Sequence, residues 1–259
     1  MIEAPSQVSP MMSILIPTHN RAPLLRRALE SAARQTFDDY EILVIDDGEG
    51  AAQTVSAFLA QRPSRDAPCR VVDNRRRGQV AARTLGAAQA QGQIIVFLDD
   101  DDHWGEPDYL AKIAAAWRAG AQATFASGRI IVENAELENL DEFPFVASAD
   151  ANSIRIDNTI LVSGFAFARA LATSQGPFDQ GLPYYWDWDW YLRLFANEAR
   201  FADLGACGIL ISARPDTVSS PASEARRREN LNRLAAKHSL GNLVLRNHES
   251  IARERRALG

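Results

Sequence analysis

The sequence predicts an α/β fold: a single, mainly parallel sheet with helices on both faces, followed by a C-terminal helical extension. Two observations carry this expectation. Apolar, strand-like segments alternate with segments of helical periodicity through the first half of the chain, the pattern of a parallel sheet with crossover helices. Three of those segments end in polar or acidic clusters, and in such sheets ligands bind at the carboxyl ends of strands.

Residues 12–17 read as a buried strand ended by Pro17. Leu24, Leu25, Ala28, Leu29 and Ala32 then recur at helical spacing, which predicts an amphipathic helix over 23–35. Residues 41–45 form a second apolar strand closed by Asp46-Asp47-Gly48, and a helix over 51–61 and a short strand at 70–72 follow. The Ala-rich stretch 79–91 is helical, with Gly92 as its stop. Residues 94–98 are wholly apolar and run directly into Asp99, Asp100, Asp101 and Asp102. Further on, the pattern predicts a helix over 107–117, a strand over 123–132, an acidic loop over 133–150, an apolar Gly-containing segment over 159–168 and a turn-rich loop over 176–183. A helix over 186–197 and one or two strands over 201–212 complete the second half. One domain over residues 1–220 and a basic helical extension over 221–259 is the economical division.

Composition narrows the classes. The 259 residues are 46% hydrophobic and 24% charged, as in ordinary globular proteins, with a net charge of −5 that argues against nucleic acid as a partner. Cys69 and Cys207 are too few for a disulfide framework or a zinc site and read as small buried side chains. The first ten residues lack the basic start and apolar run of a signal peptide, and no stretch approaches a membrane span. These features point to a cytoplasmic protein.

The four aspartates are the chief chemical signal. Along an extended strand end Asp99 and Asp101 point one way and Asp100 another. Carboxylates crowded this closely repel unless a cation compensates, and a hard divalent ion with oxygen ligands does so while keeping positions for phosphate oxygens. Alone, an acidic turn is also compatible with such a run, as it is with Asp46-Asp47-Gly48.

In series, these segments closely resemble the family 2 glycosyltransferases, which have the GT-A fold. The resemblance begins at Ser13-Ile14-Leu15-Ile16-Pro17-Thr18-His19-Asn20-Arg21, with His19 where an aromatic residue is usual, and continues through Gln35-Thr36 and Glu41-Ile42-Leu43-Val44-Ile45-Asp46-Asp47-Gly48. Gly78, Ala82-Arg83-Thr84 and Gly86 resemble a glycine plus Ala-Arg-Asn segment, with Thr84 in place of asparagine. Leu98-Asp99-Asp100-Asp101-Asp102 matches the DXD-type metal motif, followed by Trp104, Pro107 and Asp108 at a spacing one residue longer than usual. Gly176-Pro177-Phe178-Asp179 and Asp187-Trp188-Asp189 resemble the acceptor-side segment, where the family has Glu-Asp and this chain has Trp186-Asp187. Arg214, before Pro215, stands where the family often has histidine.

The resemblance implies roles by position. Pro17, Thr18, Asn20, Asp46 and Asp47 would surround the nucleoside, with Asp47 accepting the base N–H. Arg83 would face the donor, Asp100 the ribose or sugar, and Asp99 and above all Asp101 would hold Mn2+ or Mg2+. Asp102 would help end the strand. Asp187 would be the general base, with Asp189 the runner-up, and Arg214 would hold leaving diphosphate through its planar fork. The implied activity is inverting transfer of a sugar, most simply from a UDP-linked donor, to a hydroxyl on a saccharide, lipid-linked or protein acceptor. A catalytically silent sugar-nucleotide-binding or scaffold protein and a nucleotidyltransferase are the alternatives. The tail is basic, with Arg226, Arg227 and Arg228 beside Leu231 and Leu234. Such helices pack back on their own domain, rest peripherally on the inner face of a membrane, or cover a second copy of the chain.

Overall fold

A computed structural model describes residues 9–61, 67–75, 77–214 and 223–258, the last four through their helical backbone only. Most of the polar lead, residues 215–219 after Arg214, and the boundary at residue 220 lie outside the described residues.

The chain opens with β1 (Met12–Thr18), α1 (Ala22–Ala33), β2 (Tyr40–Asp46), α2 (Ala51–Ala60), β3 (Cys69–Asp73), α3 (Gln79–Gln89) and β4 (Ile94–Phe97). These strands pair in parallel in the order β3-β2-β1-β4. The apolar runs of β1, β2 and β4 have a direct cause. Ile14, Ile16, Ile42, Val44, Ile94 and Val96 pack on one face of the sheet, and Leu15, Leu43, Ile45, Ile95 and Phe97 on the other. Side chains alternate across a strand, so a strand covered on both faces is apolar at every position. Gly92, just before β4, is required by proximity, because a Cβ there would lie 2.5 Å from the Met12 carbonyl carbon.

Next come β5 (His103–Trp104), α4 (Tyr109–Arg118), β6 (Ala123–Glu133), β7 (Asn139–Phe145), β8 (Phe165–Ala168), α5 (Arg169–Ser174), α6 (Trp186–Ala196) and β9 (Phe201–Ala213). The described residues form a nine-stranded sheet ordered β3-β2-β1-β4-β8-β6-β9-β5, with β7 also on β6. Parallel pairing dominates the first half. In the second, β8 lies antiparallel between β4 and β6, and β6 pairs in parallel with β9. The acidic loop expected over 133–150 instead contains a strand, for β7 pairs antiparallel with β6. Its first residues, Asn139, Leu140 and Asp141, are exposed, so the segment carries no continuous apolar signature.

The extension folds onto the domain. Leu231 and Leu234 of α7 (Glu224–Lys237) join the core beneath α6, and Ile251 and Ala252 of α8 (His248–Leu258) join the core on the opposite face, against β6 and β7. Leu231 and Leu234, which follow the basic run of the extension, are thus used within the chain, whereas Val244 is exposed. Among the described residues no helix is long and apolar enough to cross a membrane.

Candidate functional site

A cleft of about 480 Å³ opens at the carboxyl ends of β1 and β4. Its floor is the acidic run. Asp99, Asp101 and Asp102 each present a carboxylate oxygen within 4.8 Å of the others, the kind of hard oxygen set that suits a divalent cation. Burial, then the neighbouring carboxylates, push the Asp101 carboxyl up to about 7. The same causes, in the same order, raise that of Asp102 well above the usual range. A cation among them would relieve that repulsion, so the residues fit a bound Mn2+ or Mg2+.

The four aspartates divide their work. Asp102 accepts from Ser163 Oγ at 2.5 Å and from the Ser212 backbone N–H at 2.9 Å, tying the end of β4 to β9. It is therefore an anchor as well as a member of the oxygen cluster, which sequence had limited to Asp99 and Asp101. Asp100 turns away from that cluster and accepts from Thr18 Oγ1 at 2.7 Å. Arg21 spans the pair, with Nη1 3.0 Å from Asp101 Oδ2 and 3.4 Å from Asp100 Oδ1. Arg27, from α1, donates to the Asp101 carbonyl at 2.7 Å and pairs with Glu133, which holds the loop in place.

Around this floor the nucleoside-side residues separate. Pro17, Thr18 and Asp47 line the cleft. Asp47 Oδ1 accepts from Asn74 Nδ2 at 2.6 Å and the Gly78 N–H at 3.0 Å, so its other oxygen faces outward, 3.9 Å from His19. Asp46 and Asn20 do not line it. Both Asp46 oxygens accept backbone N–H groups of its own turn, from Gly48 and Ala51. Asn20 takes a positive φ of 56° and accepts from the Glu49 N–H at 2.7 Å. Both hold their loops in shape. Arg214, half-buried directly after β9, also lies outside the cleft lining.

The opposite wall comes from α6 and the extension. Asp187, in the first turn of α6, is buried, lines the cleft and accepts from Asn158 Nδ2 at 2.8 Å. Burial raises its carboxyl to about 6, against hydrogen bonds and the Arg83 charge that lower it. That is suitable for a base near neutrality. Asp189, the runner-up, faces the other way. Fully buried, it meets Arg193 at 3.0 Å and Lys237 and His238 at 2.7 Å each. Burial alone would raise its carboxyl, but the His238 and Lys237 hydrogen bonds and the Arg193 charge hold it below the usual range. It clasps the end of α7 to α6 and does not line the cleft. Asn158, Arg246 and His248 also line the cleft, and sequence reasoning passed over all three. They lie in a loop and in the extension, without a local motif; only Arg21, inside a recognised segment, carried a signal.

Comparisons with known proteins identify the family. Residues 13–174 match Glycosyl transferase family 2, and the chain belongs to that family. It is thus a glycosyltransferase, and the nucleotidyltransferase and silent-scaffold readings give way. Among curated relatives, the uncharacterized glycosyltransferase YwdF of Bacillus subtilis is 33% identical over 251 residues, 94% of this chain and 90% of that protein. A PGL/p-HBAD biosynthesis glycosyltransferase of Mycobacterium tuberculosis is 28% identical over 191 residues, 74% and 72% of the two chains. Solved structures share the GT-A fold. The mannosyltransferase PcManGT of Pyrobaculum calidifontis, in complex with GDP-Man and Mn2+, superposes with a TM-score of 0.65 at 21% identity, over 89% of this chain and 64% of that one. S. aureus TarS 1–349 in complex with UDP-GlcNAc gives 0.63 at 18% identity, over 87% and 66%.

Proposed function

We propose that the protein transfers a sugar, with inversion, from a UDP-linked donor to an acceptor hydroxyl, using Asp187 as general base. One observation carries the reading: a buried carboxylate tuned to about 6 shares one cleft with a cluster of three metal-competent aspartates. Pro17, Thr18 and the outward oxygen of Asp47 receive the nucleoside. Arg83 and Asp100 orient ribose, diphosphate or sugar. Asp99 and Asp101 hold Mn2+ or Mg2+, with Asp102 fixing the strand end. A cation bound there supplies charge stabilisation to the departing diphosphate. Asp187 takes the acceptor proton while Asn158 steadies its carboxylate, and the hydroxyl attacks the anomeric carbon opposite the leaving group.

The relatives support this donor chemistry by analogy: one neighbour was solved with UDP-GlcNAc and another with GDP-Man and Mn2+. The acceptor is a saccharide, a lipid-linked saccharide or a protein. Residues 1–220 act as the transferase domain, and the extension over 221–259 walls the acceptor side through Arg246 and His248. Arg214, half-buried directly after β9, assists departure of the diphosphate. The test is donor consumption across a panel of UDP- and GDP-sugars with Mn2+, for wild type and Asp187→Asn, with product anomeric configuration read by NMR. Turnover surviving in Asp187→Asn, or retention of configuration, would overturn the mechanism.

A further inference from the structure

Trp186 stands where the family usually has glutamate, and it is the ring on which Arg83 rests. The guanidinium carbon of Arg83 lies 4.6 Å from the Trp186 ring centroid. Arg83 Nη2 donates to Asp99 Oδ1, and Nη1 donates to the Gln79 carbonyl and Oε1, both at 3.2 Å. Its Nε is buried with no hydrogen-bond partner. One edge of the guanidinium is therefore held by oxygens and its face by an electron-rich ring. The ring is itself fixed, edge to face against Phe97 at 5.5 Å and Phe178 at 5.2 Å, in a buried aromatic cluster.

A carboxylate at position 186 would set a second negative charge against Arg83, beside Asp99. An indole fixes the guanidinium without neutralising it. We propose that Trp186 is a positioning residue that holds Arg83 between the acidic cluster and Asp187, leaving its positive charge available to the diphosphate of a nucleotide donor. The inference rests on the donor reading given above.

The experiment is a double-mutant cycle on the full chain, with UDP in the presence of Mn2+ as the probe and calorimetry as the readout. Trp186→Phe and Trp186→Leu are made in the wild-type and Arg83→Met backgrounds. Trp186→Leu is expected to weaken UDP binding about tenfold, in line with a desolvated cation–π contact, and Trp186→Phe by less. In the Arg83→Met background neither change should weaken binding further. Lost packing lowers the melting temperature in both backgrounds, but a merely structural role would not make the affinity loss depend on Arg83. Unchanged affinity in Trp186→Leu, or the same fold-loss in both backgrounds, overturns the inference. Trp186→Glu probes the charge directly and should bind UDP at least as weakly as Trp186→Leu; wild-type affinity there also overturns it. Should Trp186→Leu fail to fold, Trp186→Phe carries the same cycle. A wild type that does not bind UDP sinks the donor reading and this inference together, whereas binding that ignores Trp186 sinks this inference alone.

Discussion

Asp187→Asn should abolish sugar transfer and at the same time make the protein more stable near neutral pH. Burial holds the Asp187 carboxyl at about 6 in the fold, above its ordinary value of 3.8. In the unfolded chain the group ionises first, so folding at neutral pH carries the cost of a charge placed in a buried site. The sign follows: the cost is absent below about pH 4, grows between 3.8 and about 6, and is complete above that range. A shift of roughly two units corresponds to about 3 kcal/mol. Asparagine keeps an oxygen to accept from Asn158 and carries no charge, so it recovers most of that amount. For a chain of this size, about 3 kcal/mol amounts to a rise in melting temperature on the order of 5–10 °C. Urea denaturation of wild type and Asp187→Asn at pH 7.5, 6 and 4, with donor consumption measured in parallel, tests both halves. The stability gap should be widest at pH 7.5 and should close towards pH 4. A variant no more stable than wild type at pH 7.5 would refute the electrostatic account, and one that still turns over would refute the assignment of the base.

The wild-type enzyme should show kcat/KM falling about tenfold between pH 7 and pH 5, as Asp187 takes up its proton; a flat profile would place the base elsewhere. Asn158→Ser removes a hydrogen bond that lowers the Asp187 value and should move that acid limb upward by up to about one unit. Asp189→Ala should leave the acid limb in place while destabilising the fold by about 3 kcal/mol or more, since Arg193, Lys237 and His238 lose a shared partner; unaltered urea stability would contradict the clasp. Asp101→Asn should cut Mn2+ affinity, read by paramagnetic resonance, and by the sign worked out for Asp187 should not lower the melting temperature. Asp102→Asn should in addition lower that temperature, because it strains the links to Ser163 and Ser212.

Where the sequence was legible, the reason is double-sided burial. β1, β2 and β4 feed alternate residues to opposite cores, so apolar runs and strands coincide. β7 escaped notice because its opening residues, Asn139, Leu140 and Asp141, are exposed and lie in an acidic stretch, a pattern that otherwise means loop. The two-residue β5 is too short to show any period. At the site, the residues at strand ends were readable because the fold puts strand ends at the cleft. Asp46 and Asn20 were readable as loop formers but not as facing away, since turn chemistry and ligand chemistry use the same side-chain types. Asp189 shares its composition and helix with Asp187. What separates them is rotation about the helix axis and three partners: Arg193 on the same helix, and Lys237 and His238 at the end of α7.

That rotation has a mechanical consequence. Two residues along a helix are about 200° apart, so α6 aims Asp187 into the cleft and Asp189 almost directly backward. Lys237 and His238 grip the rear carboxylate, and Asn158 steadies the forward one. Pinned at both ends of a diameter, the helix resists twisting like an axle keyed to its housing. Asp187 is thereby held from two sides, and on the proposed mechanism the sugars align to it. Loosening the rear key should degrade aim before it alters acidity, so that weaker clasps would appear first as wasted donor hydrolysis rather than slower transfer.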